Sequence, residues 1–133
     1  MALLQVDSIA VSYAQRAVVD ALSFDLLEGE IGCLLGASGC GKTTVLRTIA
    51  GFEALTAGQI TLAGQVVGAV GRQTAVQERG IGMVFQDYAL FPHLTVAGNV
   101  SFGLAKNDAK KVRELLDLVG LNHVEKRYPH ELS

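Results

Sequence analysis

Apolar and polar residues alternate over residues 3–13, and the alternation returns over residues 22–27 before a turn at Glu28, Gly29 and Glu30. Period-two patterning turns one face of a strand to a core and the other to water, so both stretches read as half-exposed antiparallel strands. The run Ile31-Gly-Cys-Leu-Leu-Gly36 is apolar throughout, the pattern of a strand covered on both faces. The spacing then changes. Val45, Leu46, Ile49 and Ala50 recur at helical intervals after Lys42, and Gly51 marks a C-terminal stop. Residues 58–62 and 81–85 read as further strands, whereas residues 65–80 carry no legible layout. Beyond Pro92 the pattern is helical: Thr95 caps a segment reaching about Leu104, and Asp108 caps another through Val119, closed by Gly120. In the latter, Val112, Leu115, Leu116 and Val119 share one face, and Lys110, Lys111, Arg113 and Glu114 form a solvated side.

These elements describe a packed α/β protein, and composition agrees. Of 133 residues, 50% are hydrophobic and 18% charged, which excludes a disordered chain. A net charge of -2 supplies no basic field for counterion release, so nucleic acid is not an expected partner. The first residues have no basic region followed by an apolar core, and no apolar run approaches the roughly 20 residues of a membrane helix; a cytoplasmic location is expected. Two cysteines build no disulfide framework, so Cys33 in the apolar run and Cys40 in the glycine-rich loop are expected as free thiols. Cys40 reads first as a small residue that fits the loop. Mild reactivity beside a helix N-terminus is the alternative.

Gly36-Ala-Ser38-Gly39-Cys40-Gly41-Lys42-Thr43 matches the Walker A pattern, two glycines at fixed separation followed by Lys and a hydroxyl residue. Such chemistry needs glycine because consecutive backbone N–H groups must approach phosphate oxygens that side chains would obstruct. Lys42 would reach the β- and γ-phosphates, and Thr43 would offer its hydroxyl to Mg²⁺. The following helix would aim its positive end at the anion. A glycine-rich turn that merely joins strand to helix is the alternative; the apolar run before and the helix after favour phosphate binding. The loop does not tell what the nucleotide is used for, because kinases, GTPases and transport ATPases share it.

A second segment discriminates: Ile81-Gly-Met-Val-Phe-Gln86-Asp87-Tyr88-Ala-Leu-Phe91-Pro92-His93-Leu-Thr-Val96 resembles the Q-loop region of ABC importer ATPase subunits. The resemblance implies that Gln86 binds Mg²⁺ and senses the γ-phosphate of ATP. It also implies that residues 86–94, with Phe91, Pro92, His93 and Leu94, face transmembrane permease subunits. From the residues alone, Gln86 reads first as a strand-end amide bonding to backbone, and the Phe-Pro-His stretch first as a turn with an apolar anchor; the resemblance reverses both. Tyr13 stands where the family keeps an aromatic that stacks on adenine, with core packing as the alternative. Thr44 and the whole loop from Gly36 belong to the same implied nucleotide site. Arg127-Tyr-Pro-His-Glu-Leu132-Ser133 resembles the approach to the signature motif.

The implied fold is the N-terminal half of a P-loop NTPase of the ABC ATPase kind, with an antiparallel β subdomain, a partial core sheet and the start of a helical subdomain. The expected division is about 1–92 for the β subdomain and phosphate-loop core and about 93–133 for the helical part. Complete members form a homodimer with a second ATPase subunit, serve a periplasmic binding protein indirectly, and sit peripherally on the cytoplasmic face of the inner membrane. Within the family the motifs look most like ferric-iron importers, then polyamine, sulfate or sugar ones. Hydrolysis also needs a Walker B Asp and a group that positions water. Neither is identifiable here: Asp117 lies in an amphipathic helical pattern, and His93, His123 and His130 lack metal-site spacing. The 133 residues are therefore expected to bind nucleotide weakly and hydrolyse none. A non-catalytic nucleotide-binding module and a DNA-maintenance ATPase are the competing readings; the acidic balance and the Phe91-Pro92-His93 stretch argue against the second.

Overall fold

A computed structural model describes residues 2–104 and 108–132, and the chain divides into two compact units, Met1–Met83 and Val84–Ser133. The first unit is built on one antiparallel sheet of order β2-β1-β3-β4-β5, formed by β1 (Leu4–Tyr13), β2 (Arg16–Leu26), β3 (Ala57–Leu62), β4 (Gln65–Ala69) and β5 (Arg72–Gln73). Its inward face buries Val6, Ile9, Val11, Val19, Ile60 and Val67. The inward positions of β1 pass from even to odd because a bulge at Ser8, with φ +46°, shifts the register between Val6 and Ile9. Helix α1 (Lys42–Ala50) lays Val45 and Ile49 on that face. Each fully buried Ile or Val contributes about 1.5 to 3 kcal/mol here.

β1 and β2 form a hairpin in which Tyr13 pairs with Arg16 across Ala14 and Gln15, both at positive φ. A two-residue turn with positive φ at both positions matches the right-handed twist of its strands. β2 therefore starts well before the expected residue 22. The stretch without a legible layout, residues 65–80, holds β4, β5 and a 3₁₀ turn at Val76–Glu78.

Two expected strands differ. Residues 31–36 form no strand and pair with none among the described residues, and of their side chains Leu34 packs on the core. Ile31 is 97% exposed and Leu35 88%, and Cys33 is exposed as well. Residues 81–85 likewise form no strand, with Ile81, Met83 and Phe85 half-buried and Val84 89% exposed. The physical reason is shared: an apolar run records what a segment is suited to touch, but a ladder needs a neighbour to exchange hydrogen bonds.

In the second unit, α2 (Val96–Ser101) and α3 (Ala109–Leu118) enclose a small core of Val96, Val112, Leu116 and Val124. Both expected caps form: Thr95 Oγ1 accepts from Gly98 N–H at 3.1 Å and Asp108 Oδ1 from Lys111 N–H at 2.9 Å. Helix α2 stops at Ser101, short of Leu104, where Phe102 N–H turns to Asn99 O and Ser101 Oγ donates back to Gly98 O at 3.0 Å. Val119 leaves the buried face of α3, because it is the C-cap and stands 61% exposed. Ser133, last residue of the stretch resembling the signature approach, lies outside the described residues.

Candidate functional site

Residues 36–43 lead from the apolar run at 31–35 into α1. Gly41 caps the helix at φ +100°, no side chain closes the helix start, and no acidic residue stands in its first turn. Within the loop Cys40 N–H donates to Ala37 O at 3.3 Å, and the first helical bond runs from Val45 N–H to Gly41 O at 2.9 Å. Among the described residues no protein group accepts from the N–H groups of Ser38, Gly39, Gly41, Lys42 or Thr43. Several amides without acceptors at the positive end of a helix can cradle a polyanion.

Lys42 arches back over this cradle. Its Nζ donates to Gly36 O and Ala37 O at 2.7 Å each and lies 3.4 Å from Cys40 Sγ. The sulfur in turn rests on Gly36, where an added Cβ would stand 2.6 Å from it. Thr43 is exposed in the first turn of α1, its hydroxyl open to a cation that accompanies phosphate. The residues present fit a phosphate and Mg²⁺ at this place.

Tyr13 closes β1 and is 45% exposed. Its phenol is pushed above the ordinary 10.0, first by partial burial and then by a hydrogen bond and negative charge from Glu53; Thr44 and Arg47 oppose this. The structure thus brings Tyr13 together with Thr44 of the loop helix. Glu53 itself bonds Arg47 Nε at 2.9 Å. Because the unfolded chain gives up the phenol proton first, stability is unaffected below the ordinary tyrosine value and falls as pH rises above it. Ultraviolet titration of the three tyrosines is expected to show one ionising late, and Glu53→Gln to move it back toward 10.0. An unmoved titration in that variant would contradict the contact.

Gln86 belongs to the second unit and is exposed. It opens a turn in which Tyr88 and Ala89 both take positive φ, +59° and +48°. Phe91, His93 and Phe102 cluster, with ring centroids 5.9 Å apart for Phe91 and His93 and 4.3 Å for Phe91 and Phe102. Sequence reasoning did not single out Asn99, which holds this segment: its Oδ1 accepts from Phe91 N–H at 2.9 Å and its Nδ2 donates to the carbonyls of Phe91, Leu94 and Thr95. Glu53 and Arg79 were likewise not legible. A lone amide, acid or guanidinium carries no local signal of the carbonyls or hydroxyls it will meet. Among the described residues no group of three or more His, Cys, Asp or Glu could hold a metal.

The profile of the family described as ABC transporter matches residues 19–133 of the chain. The chain belongs to that family. Among its ABC relatives, the sulfate/thiosulfate import ATP-binding protein CysA 2 of Chromobacterium violaceum is 45% identical over 98% of this chain and 36% of that protein. The Fe(3+) ions import ATP-binding protein FbpC of Mesorhizobium japonicum is 42% identical, over 100% of this chain and 38% of that protein. The putrescine transport ATP-binding protein PotG of Escherichia coli is 45% identical, over 98% and 35%. The chain thus spans little more than a third of the length of these relatives. The solved structure of CbiO1 from Clostridium perfringens, part of the ABC transporter complex CbiONQ, superposes on 99% of this chain and 56% of that one with a TM-score of 0.75 at 24% identity. Family and superposition together give the ABC ATPase fold, of which this chain is an N-terminal portion with its antiparallel sheet and first helices.

Proposed function

We propose that this chain is the N-terminal part of an ATP-binding subunit that powers solute import across a bacterial inner membrane. The observation that carries the reading is the cradle of acceptor-free amides at the uncapped start of α1, with Lys42 arched over it. In this reading Gly36, Ser38, Gly39, Cys40, Gly41, Lys42, Thr43 and Thr44 hold the phosphates of ATP, Thr43 and Gln86 serve Mg²⁺, Gln86 senses the γ-phosphate, and Tyr13 stacks on adenine. When bound, Mg²⁺ would neutralise phosphate charge and ease attack on the terminal phosphorus. The residues of this chain bind and orient; no acid paired for water activation is identifiable in its sequence.

The exposed Tyr88, Leu90 and Phe102 beside Phe91 and His93 support a docking surface for permease subunits at residues 86–94. A second ATPase subunit, an indirect link to a periplasmic binding protein, and a peripheral place on the cytoplasmic face of the membrane complete the proposal. The domain division at about residues 92 and 93 belongs to it too. Among the described residues no helix is long and apolar enough to cross a membrane. For the solute, relatives named for sulfate, ferric iron and putrescine stand at 45%, 42% and 45% identity, so iron is not singled out. The loop reads phosphate whatever solute is carried.

Calorimetric titration with MgATP, paired with a phosphate-release assay, tests the reading. Binding without turnover is expected of the 133 residues. No heat of binding would remove the nucleotide assignment, and magnesium-dependent turnover would show that a catalytic group lies within them.

A further inference from the structure

Arg79 is 4% exposed, the most deeply buried of the described charged side chains. Among the described residues it has no carboxylate partner; the ion pairs are Arg47 with Glu53 and Lys111 with Glu114. It donates instead to three carbonyls, from Nε to Thr74 O at 3.0 Å and from one terminal nitrogen to Thr48 O at 3.1 Å and Ile49 O at 2.7 Å. Thr48 and Ile49 lie in the last turn of α1, where helical donors run out; Thr48 O also accepts from the C-cap amide of Gly51 at 3.1 Å. A guanidinium at this end also sets positive charge against the negative pole of the helix.

The site is built around this side chain. Gly51, at φ +98°, is the only residue type that leaves room: an added Cβ would stand 2.7 Å from Arg79 Nε and 2.9 Å from its central carbon. Gln73 reinforces the same junction, donating from Nε2 to Gly51 O at 2.9 Å and Glu53 O at 3.0 Å. Four bonds thus fasten residues 73–79 to the tail of α1 and the turn after it, and the bond from Arg79 Nε to Thr74 O braces the segment itself. The other end of this nine-residue helix carries the phosphate cradle, about 13 Å away at the usual rise per residue. A helix that short moves as a rod, so freedom at its tail becomes misdirection of the amides at its head.

We propose that Arg79 is a positioning residue of the phosphate loop, holding the tail of α1 so that the amides at its head and Lys42 converge on a polyphosphate. Burial also lowers the basicity of the guanidinium, in keeping with a group held by carbonyls rather than by an acid. The proposal rests on the nucleotide reading above, and its experiment separates the two.

MgATP is titrated calorimetrically into wild type, Arg79→Met and Arg79→Lys well below their melting temperatures, with melting followed separately. Arg79→Met is expected to raise Kd about tenfold, as loss of aim in a preorganised site does, and Arg79→Lys, which keeps the charge but not the fork, is expected to recover part of that. A merely structural role would lower the melting temperature and leave the Kd of the folded protein unchanged, which overturns the proposal. Should Arg79→Met not fold, Gln73→Ala decides: this exposed side chain gives two of the four bonds, so a Kd raised about threefold supports the clamp and an unchanged Kd overturns it. A wild-type chain that binds no MgATP overturns the nucleotide reading and this proposal together, whereas normal binding by every folded variant overturns this one alone.

Discussion

Replacing Lys42 with alanine is expected to weaken MgATP binding about a hundredfold while leaving the melting temperature nearly in place. The ammonium is held over the loop by Gly36 O and Ala37 O at 2.7 Å each, so its position is set before any phosphate arrives and little ordering entropy remains to be lost on binding. Hydrogen bonds to charged groups contribute about 1.5 to 3 kcal/mol each, and about 2.7 kcal/mol corresponds to two decades in Kd. The fold loses little, because Lys42 is only half-buried and its partners can turn to water. Calorimetry on the wild type and the variant measures the difference. Equal affinities would mean that the arch over the loop has no bearing on the anion.

Gly41→Ala is expected to be the most damaging single methyl group in the loop. At φ +100° any L side chain is strained, by roughly 1 to 2 kcal/mol. Here the new Cβ would also lie 2.7 Å from Val18 O, a backbone atom of β2 that cannot swing aside. Loop and strand must separate, and a total loss of about 3 kcal/mol or more is expected, together with nucleotide affinity. Gly39→Ala supplies the contrast: its φ is +78° but nothing lies within 4 Å of the added methyl, so strain alone remains, roughly 1 to 2 kcal/mol. Urea unfolding of the two variants compares them directly. Equal losses would show that the contact with Val18 is irrelevant.

Where a signal is local, the chain could be read without coordinates. The helix after Lys42, the stop at Gly51, and the caps at Thr95 and Asp108 each depend on neighbours within about one turn, and all four are in place. The β1–β2 hairpin escaped because Ala14 and Gln15 bend the chain without the Asn-Gly or Gly-rich chemistry that usually announces such a turn. Residues 31–36 and 81–85 were misread for the opposite reason. Their apolar composition speaks of contact, and composition does not say which segment provides the hydrogen bonds. At the site, the glycines and Lys42 stand in one continuous run and were legible as a unit. Arg79 lies more than thirty positions from Thr48 O and was not; only folding makes those two neighbours.

Helix α1 begins on Gly41 with neither a capping side chain nor an acidic first turn. Most helices finish their own beginnings with a serine, threonine or aspartate. On the nucleotide reading proposed above, a bound phosphate would complete this one instead and become a temporary part of the architecture, and the ease with which the first unit melts would gauge how much nucleotide is at hand.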